Sequence, residues 1–75
     1  ARARVARLLL HFARTSPDRS CFMPTREDMG AMLGVSTETV SRITADFKRA
    51  GLLEYIAPHR ARIRTDAMGE LAEGS

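Results

Sequence analysis

The segment from Arg26 to Ile43 constrains this chain more than any other. Two amphipathic stretches, Thr25 to Leu33 and Ser36 to about Ala50, are joined only by Gly34-Val35-Ser36. Two helices with a three-residue, glycine-containing connection form the helix-turn-helix layout. Gly34 lies where the chain leaves the first of these helices and must take a positive φ, which is cheap only for glycine. Gly30, four residues earlier, has no side chain and lets the next helix cross at close range. Met29, Leu33, Val35, Val40 and Ile43 supply the apolar positions between the pair, with Met32 beside them. The ends are marked as well. Thr25 is an N-cap residue followed by Glu27 and Asp28 in the first turn, where the helix dipole favours negative charge. Thr25 with Asp28 approximates a capping box. Ser36 caps the second helix, Lys48 and Arg49 sit at its negative end, and Gly51 terminates it.

The flanking segments complete a small domain. Val5, Leu8, Leu9 and Phe12 repeat with helical period in Arg2–Arg14. That helix starts without a capping residue, the start expected of a fragment cut from a longer protein. Pro17, Asp18 and Ser20 break it. Cys21-Phe22-Met23, ended by Pro24, reads as a minimal edge strand. Leu52–Ala57 and Ala61–Arg64 read as strands about a Pro58-His59-Arg60 turn, with Leu53, Ile56 and Ile63 facing the core. Asp66 is expected to cap a last helix to about Ala72, with Glu73-Gly74-Ser75 frayed. The predicted fold is mainly α with a small β-hairpin wing: a winged helix-turn-helix of three core helices and a short terminal one. The helix-turn-helix occupies about 25–50 and the wing about 52–65 of a single domain spanning 1–75.

A chain of 75 residues holds one domain and leaves little room for a deep catalytic pocket. With Cys21 the only cysteine, no disulfide can staple it. Cys21, His11 and His59 lack the paired spacing of a zinc site. No cofactor or metal is expected in this domain. No apolar run reaches membrane-spanning length, and Leu8-Leu9-Leu10 is too short for a signal peptide. A soluble, cytoplasmic domain is expected. Residues 1–64 hold all 12 basic groups and 6 acids, a balance of +6; residues 65–75 hold 3 acids and no base. Eleven of the 12 bases are arginine, the side chain suited to bidentate contacts with phosphate and guanine.

The polar face of the helix after Ser36 carries Thr37, Glu38, Ser41 and Arg42, with Val40, Ile43 and Phe47 pointing the other way. The first turns of such a helix meet base edges in the major groove. Arg42 can donate two hydrogen bonds to guanine O6 and N7, and Glu38 can accept from cytosine N4. Ser41 is short enough to allow close approach. Glu38 and Arg42 alone would read as an i,i+4 ion pair on a solvated helix. On a glycine-turn unit, base reading is favoured, because an acid facing phosphates needs a specific reason.

The stretches Thr25-Arg26-Glu27-Asp28-Met29-Gly30 and Leu33 to Ile43, continued by Lys48-Arg49-Ala50-Gly51-Leu52-Leu53, resemble the CRP/FNR superfamily of bacterial transcription regulators. The resemblance covers nearly the whole chain. It implies a winged helix-turn-helix whose third helix enters the major groove, with Glu38 and Arg42 at the two most typical base-reading positions. Glu38-x-x-Ser41-Arg42 matches the FNR branch and implies a TTGA-type half-site in an inverted palindrome. Thr37 stands where FNR-like proteins more often carry an apolar residue. The family further implies an N-terminal effector-sensing barrel and a dimerising helix, both absent from this chain, hence a homodimer in the full-length protein and RNA polymerase as a further partner.

Backbone contacts are expected from Thr25, Arg26, Ser36 and Thr39 at helix starts, and from Arg60 and His59 at the wing tip. The competing reading is a winged-helix protein-interaction module without DNA specificity, since fold alone does not fix function. No nucleophile, base and oxyanion donor can be assembled into an enzyme site. Cys21 reads as a packed thiol, His11 as a partly exposed helix residue, and Met23, Met29, Met32 and Met68 as packing groups.

Overall fold

Helix α1 (Arg2–Arg14) is the spine on which the other elements are laid in this computed structural model, which describes residues 2–73. It is followed by β1 (Ser20–Phe22), α2 (Arg26–Leu33), α3 (Thr37–Arg49), β2 (Leu53–Ala57), β3 (Arg60–Ile63) and α4 (Thr65–Glu73). Gly74 and Ser75 of the expected frayed end, and Ala1 at the start, lie outside the described residues. α1 buries Val5 and Leu9 as its period predicts, and adds Ala3, Ala6, Leu10 and Ala13. Its alanines make the face smooth enough for α4 to pack along it, where Met68 and Ala72 are buried. Met29 of α2 and Val40, Ile43 and Phe47 of α3 fill the core from one side. Cys21, Leu53, Ala61 and Ile63 fill it from the sheet. No described helix is long and apolar enough to cross a membrane.

The wing is a three-stranded antiparallel sheet in the order β1-β3-β2. Cys21 pairs with Ala61 and Leu53 with Ile63, and all four side chains are buried on one face. Strand period 2 then sends Tyr55, not Ile56, to the side of Leu53. Tyr55 pairs with Ala61 and Ala57 with Arg60, so Ile56 is the extra residue of a bulge. Ile56 is therefore 43% exposed, against the expectation that it faces the core. Three further expectations are corrected. Arg60 opens β3 rather than closing a turn. Met32 is exposed while Met29 is buried and Leu33 half-buried, because α2 is only two turns long and presents a narrow apolar stripe. Asp66 lies inside the first turn of α4 rather than capping it, since the Met68 N–H already donates to the Arg64 carbonyl at 2.9 Å.

Several arginines hold the scaffold together. Arg4 donates to the Leu33 carbonyl (3.2 Å) at the end of α2, and Arg7 to the Ala72 carbonyl (3.2 Å) near the end of α4. Cations at these positions complement the negative helix ends. Arg2 lies 3.6 Å from the Asp46 carboxylate and over the Phe47 ring. The Asp18 carboxylate accepts hydrogen bonds from the Ser20 and Ser16 hydroxyls and the Ser20 N–H, which hold it well below the ordinary carboxylate range.

Candidate nucleic-acid interface

Two capped helix starts frame the candidate interface. Thr25 Oγ1 accepts from the Asp28 N–H at 3.1 Å, and Ser36 Oγ from the Thr39 N–H at 3.1 Å. The Ser36 and Thr39 hydroxyls also meet at 2.8 Å. The Thr25 cap uses an oxygen lone pair and leaves the hydroxyl hydrogen for a further acceptor. Between the caps, Gly34 takes φ +70°, and its N–H donates to the Gly30 carbonyl. At the far end of α3 a Schellman motif closes the helix, with Gly51 donating to Lys48 and Leu52 to Phe47.

α3 divides cleanly into two faces. Val40, Ile43, Thr44 and Phe47 are buried, and the Thr44 hydroxyl is satisfied by the Val40 and Ser41 carbonyls. On the outer face the Arg42 guanidinium donates to Glu38 Oε1 at 3.2 Å. Their side chains are 69% and 84% exposed. An exposed i,i+4 pair of this kind stabilises a helix by about 0.2–0.5 kcal/mol, so either partner can exchange the other for a base edge at little cost.

An open cleft of about 640 Å³ runs between this helix and the wing. Thr25, Arg26, Glu27, Thr37 and Ser41 line one wall, and Tyr55 and His59 the other. Of the residues singled out in the sequence, these walls bring together Thr25, Arg26, Thr37, Ser41 and His59. Glu38 and Arg42 stand on the exposed face of α3, and Ser36 and Thr39 at its cap. Arg60 is set apart: its guanidinium donates to Ser20 Oγ at 3.2 Å, toward the corner between α1 and β1. Sequence reasoning passed over Tyr55, the only tyrosine in the chain. Its signal was present in the spacing from Leu53, which fixes the face of β2 on which it lies. Lys48, from α3, holds its ammonium 5.8 Å from the centre of the Tyr55 ring.

Comparison with known proteins agrees with this architecture. The catabolite activator protein of Thermus thermophilus superposes with a TM-score of 0.78 at 28% identity, over 97% of this chain and 34% of that one. The imidazole-bound form of the CO-dependent transcription factor CooA of Carboxydothermus hydrogenoformans superposes with a TM-score of 0.83 at 25% identity, over 96% of this chain and 36% of that one. The chain thus spans about a third of the length of the structures it resembles. Curated protein sequences contain no significant match. Residues 3–73 match the Crp-like helix-turn-helix domain. With almost every described residue inside that match, and with the capped two-helix unit, glycine turn and wing in place, the chain belongs to the Crp-like helix-turn-helix family.

Proposed function

We propose that this chain is a double-stranded DNA-binding domain of a transcription regulator, with α3 as the helix that reads the major groove. The observation that carries the reading is the pairing of Arg42 and Glu38 on the solvent-facing side of α3, opposite a fully buried face. Family membership and likeness to a catabolite activator protein and a CO-dependent transcription factor support it. Arg42 donates to guanine, Glu38 accepts from cytosine, and Ser41 and Thr37 complete the contact with a TTGA-like half-site. Thr25, Arg26, Ser36, Thr39 and His59 bind phosphates along the cleft. Arg60 uses one N–H donor on Ser20 and has its others for a phosphate.

Two half-sites in a palindromic operator would be read by a homodimer of a longer protein, with RNA polymerase as a further partner. Each single domain then binds weakly by itself. Selection from random duplexes with two linked copies of the chain tests the reading, and recovery of a TTGA palindrome is expected. One observation favours the interaction-module reading: Phe22 and Ile56 are exposed on the two strands flanking β3. Recovery of no sequence above background would promote it.

A further inference from the structure

We infer that Tyr55, with Lys48 beside it, is a further DNA-backbone contact that holds a phosphate in the cleft between the wing and α3. This inference rests on the proposed DNA binding. Tyr55 occupies an inward position of β2, paired with the fully buried Ala61. Leu53, two residues earlier on the same face, is buried at 3% exposure, but Tyr55 is 38% exposed. The core therefore covers the start of this face and stops before its tyrosine. The ring opens instead into the cleft shared with Thr25, Arg26, Thr37, Ser41 and His59. Among the described residues its hydroxyl has no hydrogen-bond partner, so it can donate to an acceptor from outside the domain.

The cations near the ring favour an anion, with Glu27 the one acid among the described residues that line the cleft. Arg26 stands on the opposite wall, and Lys48 lies 5.8 Å over the ring. That cation–π contact holds an ammonium against the Tyr55 ring, on a side chain that would otherwise sample many positions. The cleft is an open trough in which the hydroxyls of Thr25, Thr37, Ser41 and Tyr55 and the Arg26 guanidinium stand among apolar side chains and Glu27, wide enough for one strand of a phosphodiester backbone. Tyr55 would donate to a phosphate oxygen and Lys48 would neutralise it. Both contacts are blind to sequence.

The test measures binding of the chain to two 20-base-pair duplexes, one with a TTGA palindrome and one scrambled, by fluorescence anisotropy across a salt series. Tyr55→Phe removes one oxygen and keeps the ring. It should weaken binding to both duplexes by about fivefold to tenfold, with an unchanged melting temperature and salt slope. Lys48→Ala should weaken both and lower the salt slope by about one. Wild-type affinity for both duplexes in Tyr55→Phe would overturn the inference and leave the proposed function standing. A loss confined to the TTGA duplex would also overturn it, because it would make Tyr55 a base-reading group. If the unaltered chain binds neither duplex at low salt, the proposed function falls and this inference with it.

Discussion

Gly30 and Val35 touch across the turn between α2 and α3. The Val35 N–H donates to the Gly30 carbonyl at 3.0 Å, and a Cβ on residue 30 would stand 2.6 Å from the Val35 carbonyl oxygen. The obstacle is backbone, so no rotamer change can relieve it. Gly30→Ala should therefore push α3 away from α2 and destabilise the fold by about 1–3 kcal/mol, read as a lower urea midpoint. Gly34 is a contrasting case. Nothing lies within 4 Å of its would-be Cβ, and only its φ of +70° resists substitution. Gly34→Ala should cost about 1 kcal/mol and Gly34→Asn less.

The capping residues give a second prediction. Thr25→Ala and Ser36→Ala each orphan one helix N–H and should each destabilise the domain by about 1 kcal/mol, measured by denaturant unfolding. Ser36 also bonds the Thr39 hydroxyl at 2.8 Å. Its loss should therefore be the larger of the two for DNA affinity, because it loosens the start of the reading helix.

These helix-turn-helix features were legible in the sequence because they are local. A cap, a positive-φ glycine and a small residue act on neighbours within a turn or two. The wing was less legible because its details depend on partners far along the chain. Leu53 and Ile56 are three apart, a spacing no regular strand can put on one face, and the bulge opposite Arg60 settles Ile56 outward. Arg60 was expected to reach DNA from a turn. It lies in β3 beside β1, and the bond to Ser20 spans forty residues of sequence. Arg2, Arg4 and Arg7 contributed to a basic balance that suggested nucleic acid, yet their guanidinium groups serve helix ends and the Asp46 carboxylate. Charge counting could not separate those from Arg26 and Arg42, which face outward.

That division of the arginines predicts a division of phenotypes. Arg4→Ala frees the Leu33 carbonyl and should lower stability by about 0.5–1.5 kcal/mol, with DNA sequence preference retained. Arg42→Ala loses only an exposed ion pair and should stay within about 0.5 kcal/mol of the parent in unfolding. Comparing urea midpoints and duplex binding for both variants checks the separation.

Cys21 gives a pH prediction. Burial pushes its thiol from the ordinary 9.0 to about 11. The folded state thus favours the neutral thiol, and the unfolded chain loses its proton first as pH rises. The contribution of Cys21 to stability is complete below pH 9 and is lost as pH rises through about 11. The stability difference between the parent and Cys21→Ala should shrink across that window. At pH 8 the thiol should react with a disulfide reagent only as fast as the domain opens.

Base reading by Arg42 is the central claim, and one measurement addresses it directly: the affinity of parent and Arg42→Ala for a TTGA palindrome and for the same duplex with its G·C pair replaced. The parent should prefer the TTGA duplex by about 1–3 kcal/mol, and in Arg42→Ala that preference should flatten, with only the Glu38 contact to cytosine left at that pair. An Arg42→Ala variant that keeps the parent's affinity and its preference for the G·C pair would contradict the assignment.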